Sequence, residues 1–294
     1  MTTLDTVVLK GKPVVDDMVA RGITRVEKLA ASGVIPQIAI VRVGENPDDC
    51  SYERMAIKRA AAMGVAVKQF VFAADECEET IADALREINE DVTIHGCLMF
   101  RPLPRHMSED MLCEMLAPEK DIDGITSASM AGVYAGSDQG FAPCTAQACV
   151  EMLDHYGIDI AGKRVCVVGR SLVIGRPVSL LLMNRNATVT MCHSRTQNLS
   201  EVMREADIVV CATGRAKAYG AECFAPHQTL LDVGINFDDE GQMCGDIDYA
   251  AVSGKVAAIT PVPGGIGGIT TAVLMDHVIT AAERAVECQR AITE

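Results

Sequence analysis

The sequence predicts an α/β protein of two domains, and three observations carry this prediction. The chain has 294 residues, which at roughly 150 residues per domain suffices for two hydrophobic cores. Short β-branched segments alternate with helix-like segments along both halves, as in a largely parallel sheet covered by helices. An apolar segment at 163–168 is followed by a turn from Gly169 to Gly175 and then by another apolar segment, which is the strand, turn and helix order of open nucleotide-binding sheets.

The first half of the chain alternates regularly between the two kinds of segment. β-Branched runs predict strands at 37–43, 65–72 and 95–100. Apolar residues at helical spacing predict helices at 14–32, 51–63, 78–89 and 108–116, and Gly64 is a natural stop for the second of them. The segment 121–143 lacks periodicity and is rich in Gly, Ser and Ala, which predicts a long loop before a helix at 145–156.

The second half repeats the alternation. An apolar helix through Met183 follows the glycine turn, and a helix at 270–289 closes the series. Strands are predicted at 163–168, 188–191, 208–212, 229–233 and 257–260. We therefore expect a domain boundary near residue 145.

The charge of the chain limits the classes of partner. Lys and Arg total 26 and Asp and Glu total 40, and the net charge of −14 disfavours binding to nucleic acid or to anionic lipid. No apolar run approaches the roughly 20 residues of a membrane span, and the first residues lack the pattern of a secretory signal. We expect a cytoplasmic protein that acts on a small molecule.

The twelve cysteines lie between Cys50 and Cys288, without a C-x-x-C pair or a histidine pattern suited to zinc. In a reducing compartment such cysteines are mostly small buried side chains. We therefore predict free thiols and no metal site.

The glycine turn is the candidate phosphate site. Gly169 and Gly175 permit a tight turn and close approach of a ligand, and the following helix begins with unpaired N–H groups. We predict that Gly169, Arg170, Ser171 and Gly175 bind a dinucleotide. The G-x5-G spacing departs from the common G-x-G-x-x-G, so a plain connection between strand and helix explains it equally well.

The end of the next strand predicts the choice of dinucleotide. The residues at 192–196 are CHSRT, at the position where such folds bind the adenosine ribose, and no carboxylate is among them. Ser194 and Arg195, with Arg170, favour a 2′-phosphate, so NADP is preferred over NAD. The alternative is that these arginines are solvated surface residues, and that His193 is a packed, hydrogen-bonded histidine rather than a ligand contact.

Eight segments together resemble one known family, the methylenetetrahydrofolate dehydrogenase/cyclohydrolases. The resemblance covers nearly the whole chain and is specific because the segments occur in the family's order. They are VG at 43–44 followed by Tyr52, PEKDIDGITS at 118–127, PCT at 143–145, GRSLVIGRP at 169–177, TMCHSRT at 190–196, CATG at 211–214, DVGIN at 232–236 and TPVPGGIG at 260–267.

The resemblance implies an N-terminal α/β folate domain at 1–145, completed by the helix 270–294, and a Rossmann-like NADP-binding domain at 146–269. It also implies a folate cleft between the two domains and a homodimer. The cofactor residues that it implies beyond those above are Thr213, Gly214 and Ile235.

The resemblance also implies the folate contacts. Tyr52 stacks on the folate and Asp123 hydrogen-bonds the pterin, and these two are the catalytic candidates. Pro263, Gly264 and Gly265 border the cleft. The residue types fit, because an aromatic face suits a flat ring and a carboxylate suits paired N–H donors. Without the resemblance, Tyr52 is better explained as a half-buried helix tyrosine and Asp123 as the cap of an Asp-Gly turn.

The sequence departs from the family pattern at several of these positions. Ala56 stands where the family has a lysine, four residues after Tyr52, and Phe100 stands where it has a glutamine. Lys58 does not replace the lysine, because two residues of helix turn it roughly 200° away from Ala56. Gly268 stands where the family usually has proline, and AQ follows PCT where the family has proline and a basic residue.

These departures predict a difference between the two reactions. Hydride transfer to nicotinamide depends mainly on positioning, whereas hydrolysis of the methenyl product requires managed proton transfers. Our hypothesis is therefore an NADP-dependent dehydrogenase with weak or absent cyclohydrolase activity. The alternatives are an ordinary bifunctional enzyme, a folate or dinucleotide binding protein that has lost its chemistry, and an enzyme with a changed substrate.

Overall fold

The computed structural model describes residues 5–293. Its strands are β1 Val7–Val8, β2 Gln37–Val43, β3 Ala66–Phe72, β4 Gly96–Met99, β5 Arg164–Val168, β6 Thr188–Cys192, β7 Ile208–Cys211, β8 Thr229–Asp232, β9 Asn236–Phe237, β10 Met243–Cys244 and β11 Ala258–Ile259. Its helices are α1 Gly11–Ala31, α2 Pro47–Met63, α3 Glu78–Glu90, α4 Glu109–Glu114, α5 Ser127–Ala135, α6 Cys144–His155, α7 Gly175–Asn184, α8 Leu199–Arg204, α9 Tyr249–Val252 and α10 Thr270–Thr293. None of the helices within this range is long and apolar enough to span a membrane.

The chain folds into two units, each with its own sheet. The three-stranded unit holds Asp17–Cys144 and the described residues from Thr271 onward. The six-stranded unit holds Thr145–Thr270 and the described residues up to Asp16. The sequence analysis had assigned the first residues to the N-terminal domain. They belong with the later part of the chain instead, because β1 pairs in parallel with β11 and so extends the larger sheet.

In the three-stranded unit β2 lies between β3 and β4, and all three strands are parallel. Residues 38–41 of β2 are fully buried, as expected for a central strand that reads as a continuous apolar run. Helix α3 packs on this sheet with Ile81, Leu85 and Ile88, which lie on one helical face and are fully buried.

Helix α10 is tied to α1 within the three-stranded unit. The Arg25 guanidinium donates from Nη1 to Asp276 at 2.6 Å and from Nε to Glu283 at 3.0 Å. Leu274, Val278, Ile279 and Ala282 of α10 are fully buried. The segment that follows the six-stranded unit in sequence therefore supplies part of the core of the other unit.

The six-stranded unit is a parallel sheet in the order β1-β11-β8-β7-β5-β6. Residues 165–168 of β5 are almost completely buried between β6 and β7. The carboxyl ends of these three neighbouring strands lie at the same edge, so the turns that follow them are brought together.

The predicted loop at 121–143 was wrong in its central part, which forms α5. Thr126 caps the helix, because its Oγ1 accepts a hydrogen bond from the Ser129 N–H at 3.1 Å, and Gly136 ends it in the left-handed conformation. The helix is short and apolar on several faces, so its sequence SASMAGVYA carries no clear period.

Several short elements were not predicted. Strand β1 and the antiparallel pair of β9 and β10 have two residues each, and the short helices α8 and α9 were missed as well. A segment of two residues is too short to show an alternating pattern, and tertiary pairing alone determines its conformation.

The twelve cysteines are free thiols, and nine are buried, as predicted for small apolar side chains. Cys50 is half-buried, and Cys77 and Cys288 are exposed. The Cys166 thiol donates a hydrogen bond to Cys192 Sγ at 3.7 Å, and both cysteines are free thiols. Across residues 5–293, no group of three or more His, Cys, Asp and Glu side chains is arranged to hold a metal ion.

Candidate functional site

The turn after β5 depends on its two glycines. Gly169 has a φ of +133°, and a Cβ atom there would lie 2.2 Å from the Ala212 carbonyl oxygen. A Cβ atom at Gly175 would lie 2.3 Å from the Gly169 carbonyl oxygen. Ser171 Oγ accepts hydrogen bonds from the Ile174 and Gly175 N–H groups at 3.1 and 3.4 Å and so stabilises the start of α7. The turn is therefore a close crossing of backbones that no larger residue fits.

A cavity of about 380 Å³ opens where the turns after β5, β6 and β7 meet. It brings together six of the residues predicted to bind the cofactor, namely Gly169, Arg170, Ser171, His193, Ser194 and Thr213. The lining residues that were not predicted are Thr196, Leu199, Ala212, Arg215 and Tyr219. Gly175, Arg195, Gly214 and Ile235 were predicted but do not line this cavity.

The turn after β6 is held by its own hydrogen bonds. The His193 N–H donates to Thr196 Oγ1 at 2.9 Å, and His193 Nδ1 accepts from the Arg195 N–H at 3.2 Å. Nδ1 of His193 thus serves as an acceptor within the turn. His193 is thus a hydrogen-bonded turn residue that also lines the cavity, whereas Arg195 is exposed outside it.

The segment after β7 supplies two cavity residues, Arg215 and Tyr219, that were not predicted from the sequence. Arg215 directly follows the CATG segment, and that position after a strand of the sheet was the available signal. Tyr219 is 6% exposed, and its hydroxyl lies 3.5 Å from Thr213 Oγ1. Burial raises the pKa of the Tyr219 hydroxyl, so it stays protonated at neutral pH and able to donate a hydrogen bond.

In the three-stranded unit, Tyr52 lies on α2, and the structure brings it to Phe100 just after β4. The two rings meet edge to face with centroids 6.0 Å apart and planes at 83°. The register of α2 is fixed by the next residue, because Glu53 accepts hydrogen bonds from Arg42 Nε at 2.6 Å and from Gln69 Nε2 at 2.7 Å. Tyr52 is half-buried, as the alternative interpretation of a helix tyrosine also predicted.

Ala56 lies one helical turn after Tyr52 and has no exposed surface. Lys58 is exposed. The two side chains therefore lie on different faces of α2, as the helical geometry predicted. The position four residues after Tyr52 therefore carries only a methyl group.

Asp123 lies in the turn between α4 and α5. Its Oδ1 accepts a hydrogen bond from the Cys144 N–H at 3.4 Å. The local turn is capped instead by Asp121, whose carboxylate accepts from the Ile125 and Thr126 N–H groups at 2.9 and 2.8 Å. Burial raises the pKa of the Asp123 carboxyl, against the lowering effects of the Cys144 hydrogen bond and of Arg101. Asp123 thus retains acceptor capacity that a ligand N–H can use.

The glycine-rich loop before α10 lies in the six-stranded unit. Pro263 and Gly264 line a cavity of about 620 Å³ together with Val8 and Tyr249, and the Gly264 carbonyl accepts from the Gly11 N–H at 2.8 Å. Gly265, which was predicted beside them, does not line this cavity. The role of the loop in binding folate stays a prediction.

Comparison with known proteins identifies both parts of the chain. Residues 9–123 match the tetrahydrofolate dehydrogenase/cyclohydrolase catalytic domain, and residues 143–286 match the NAD(P)-binding domain of the same family. The Bifunctional protein FolD of Clostridioides difficile (strain 630) is 45% identical over 276 residues, which cover 94% of this chain and 96% of that protein.

Solved structures share the fold. The bifunctional FolD of Campylobacter jejuni superposes with a TM-score of 0.91 at 30% identity, over 95% of this chain and 99% of that one. The Trypanosoma brucei methylenetetrahydrofolate dehydrogenase-cyclohydrolase, solved with NADP cofactor and inhibitor, has a TM-score of 0.88 at 30% identity, over 96% of this chain and 98% of that one. The chain belongs to the tetrahydrofolate dehydrogenase/cyclohydrolase family.

Proposed function

We propose that this protein is an NADP-dependent, bifunctional methylenetetrahydrofolate dehydrogenase/methenyltetrahydrofolate cyclohydrolase of one-carbon metabolism. In the first step a hydride passes from the methylene carbon of 5,10-methylenetetrahydrofolate to NADP, which leaves the 5,10-methenyl cation. In the second step water adds to that cation and opens the ring. The observation that carries the proposal is the cavity at the glycine turn, in a chain whose two parts match the two domains of this family.

The chemistry of the cavity supports NADP as the cofactor. NADP supplies the hydride acceptor when bound, and its phosphates require cations and donors. Arg170 and Arg215 supply positive charge at the cavity, and Ser194 supplies a hydroxyl donor. No carboxylate is among the residues that line this cavity, so nothing there would repel a 2′-phosphate. The NADP-bound relative from Trypanosoma brucei supports the same choice.

Tyr52 and Asp123 are proposed to hold the folate. The Tyr52 ring offers a flat apolar face to the substrate, and its edge-to-face contact with Phe100 restricts its orientation. The Asp123 carboxylate accepts hydrogen bonds from the N–H groups of the pterin. Both groups position the substrate, and a 1 Å error in that position is costly for hydride transfer.

For the hydrolysis, the comparisons favour the ordinary bifunctional enzyme over the weak cyclohydrolase expected from the sequence, because the similar proteins are named as bifunctional. A dehydrogenase with slow hydrolysis is the second candidate. It is favoured by two observations, the fully buried methyl group of Ala56 and the aromatic ring of Phe100 beside Tyr52. Neither side chain can accept or donate the proton that the addition of water requires.

The deciding experiment assays the two steps separately on the purified protein. Formation of the methenyl cation from methylenetetrahydrofolate is followed by its absorbance, with NADP and NAD in parallel. Decay of added methenyltetrahydrofolate is then followed against the spontaneous rate. Activity in both assays supports the bifunctional enzyme, activity in the first alone supports the second candidate, and activity in neither leaves only a binding protein.

The resemblance also supports a homodimer as part of the proposal. Sedimentation equilibrium at micromolar concentration measures the mass of the particle directly. Twice the mass of one chain is expected, and a single-chain mass at all concentrations would contradict the dimer.

A further inference from the structure

Arg215 is a cation in the dinucleotide cavity with no role assigned so far. It is the fourth residue after β7 and lines the cavity together with Arg170 and Ser194. Across the described residues 5–293 the structure records no ion pair between its guanidinium and a carboxylate. Lys217, two residues later, is different, because it pairs with Asp238 at 2.8 Å. Arg215 thus remains available to an anionic ligand.

The loop that carries Arg215 is hydrogen-bonded to Asp246, which is fully buried. Oδ1 of Asp246 accepts from the Arg215 N–H at 2.9 Å and from Asn236 Nδ2 at 3.0 Å. Oδ2 accepts from Thr213 Oγ1 at 2.9 Å, from the Thr213 N–H, and from the Gly214 N–H at 3.3 Å. One carboxylate therefore bonds to the backbone of three consecutive loop residues.

The surroundings of Asp246 are shaped to admit this carboxylate. A Cβ atom at Gly234 would lie 2.2 Å from Asp246 Oδ1, so any larger residue there would push the carboxylate aside. Burying a charge is costly, and the five donors around Asp246 offset that cost. An arrangement of this kind holds the loop in one conformation before a ligand arrives, which reduces the ordering that binding requires.

We propose that Arg215 binds a phosphate group of the dinucleotide and that Asp246 is the positioning residue that holds Arg215 in the cavity. The inference rests on the proposed function for the class of cofactor. The guanidinium presents parallel N–H donors that match phosphate oxygens. Two phosphates of NADP have this chemistry, the 2′-phosphate and the pyrophosphate, and only the second is also present in NAD.

The test is calorimetric titration of NADP and of NAD into the purified full-length protein without folate. Arg215→Gln is expected to weaken NADP binding about tenfold, as for the loss of one charge-assisted hydrogen bond. An equal loss for NAD identifies the pyrophosphate as the partner, and a loss for NADP alone identifies the 2′-phosphate. Either result supports the proposal, whereas unchanged affinity for both would overturn it.

Arg164→Gln is the matched control. Arg164 is exposed at the first residue of β5, at the opposite end of that strand from the glycine turn, and the substitution removes the same charge. Its affinity for NADP should stay within about twofold of the wild type, since distant surface charges are largely screened at 0.15 M salt. If Arg164→Gln weakens binding as much as Arg215→Gln, the effect is one of net charge and the proposal fails.

The positioning role of Asp246 is tested by Asp246→Asn, alone and combined with Arg215→Gln. The single variant is expected to raise the KM for NADP about tenfold while the KM for folate stays unchanged. The double variant should lose less affinity for NADP than the sum of the two single losses, because part of the effect of Asp246 is exerted through Arg215. Additive losses would overturn the positioning role. If Asp246→Asn fails to fold, Asn236→Ala removes one donor to the same carboxylate, and a raised KM for NADP alone is again expected.

Dinucleotide binding by the wild type separates the proposed function from the role of Arg215. If the wild-type protein binds neither NADP nor NAD, the proposed function and this inference both fail. If the wild type binds NADP and Arg215→Gln binds it equally well, the proposed function stands and the inference alone fails.

Discussion

The rings of Tyr52 and Phe100 meet edge to face, 6.0 Å apart between centroids. An aromatic pair of this kind contributes about 0.5–1.5 kcal/mol beyond the burial of its surface. Phe100 therefore stabilises the orientation of the proposed folate-binding tyrosine with an apolar group. Phe100 also occupies the position beside Tyr52 where the family pattern has the amide of a glutamine. The contact that orients Tyr52 therefore also removes a polar group proposed to assist the hydrolysis of the methenyl product.

Ala56→Lys combined with Phe100→Gln restores the two polar groups that the family pattern contains. If hydrolysis in the wild type is slow, the double variant should hydrolyse methenyltetrahydrofolate at least about tenfold faster, the lower end of what general acid–base catalysis contributes. Its dehydrogenase rate should change less. The measurement is the decay of methenyl absorbance, corrected for the spontaneous reaction.

Met55→Lys combined with Phe100→Gln is the control for that experiment. Met55 is 52% exposed and lies one residue earlier on α2, so this variant adds the same charge on another face. An equal gain in the control would show that the position of the amine is irrelevant, and a fast wild-type reaction would show that the amine is not required at all.

Glu53→Gln should destabilise the three-stranded unit. Arg42 and Glu53 form an ion pair at 2.6 Å with only 12% and 6% of their side chains exposed. Removing one charge leaves the other buried and uncompensated, which typically costs about 3–5 kcal/mol. The free energy of unfolding in urea measures the effect. Glu87→Gln breaks the exposed pair with Lys68 and should cost below about 1 kcal/mol, and equal effects of the two variants would contradict the importance of burial.

Asp123→Asn should remove one limb of the pH profile of dehydrogenation. The pKa of Asp123 is raised above its usual value, mainly by burial. Only the charged form offers both oxygens as acceptors, so the wild-type rate should fall as the pH is lowered through that raised pKa. Asn cannot be charged, so the variant should have a lower rate and no such fall. A variant that keeps the same acid limb would show that another group produces it.

Asp232 should make the stability of the six-stranded unit depend on pH. Burial raises its pKa from 3.8 to about 6 although three backbone N–H groups bond to it. The folded state thus binds more protons between these values, so the contribution of Asp232 is complete below about pH 4 and is lost as the pH rises through 6. At 1.36 kcal/mol per pKa unit the change is up to about 3 kcal/mol.

The comparison of wild type with Asp232→Asn in urea, from pH 4 to pH 7, isolates this contribution. The advantage of the wild type should shrink as the pH rises. Asp238→Asn provides a control with a pKa shift of opposite sign, because the hydrogen bond from Lys217 lowers the pKa of Asp238. Since the pKa of Asp238 is at or below 3.8 in both the folded and the unfolded state, its wild-type advantage should stay nearly constant from pH 4 to pH 7, and a loss parallel to that of Asp232 would contradict both assignments.

Local pattern was sufficient to predict most of the fold. Strand β2 at Gln37–Val43 was predicted to the residue, because its buried centre at 38–41 is a continuous apolar run. Helix α2 was predicted to end at Gly64, and it does so in the left-handed conformation. The short strand β1 was not predictable, because its partner β11 is some 250 residues away and only that pairing makes it a strand.

Site residues could be predicted from the sequence where they lie in a turn that directly follows a strand. They could not be predicted where the side chain comes from a segment distant in sequence. Gly169 and Ser194 were found because they lie next to strands with recognisable turns. Asp246 was missed, since its carboxylate acts on a loop some 30 residues earlier, and nothing in its own neighbourhood indicates that target. Arg195 was expected at the cavity on account of its charge, but it is exposed and is not among the residues that line the cavity.

The path of the chain through the two units affects how each can form during synthesis. The polypeptide passes from one unit to the other after Asp16, after Cys144 and after Thr270. The three-stranded unit lacks α10 until some 125 further residues, those of the six-stranded unit, have been translated. Until then the apolar surface that α10 covers is exposed to solvent. We expect truncation before Thr270 to yield chains that depend on chaperones or aggregate, and a single proteolytic cut to release neither unit intact.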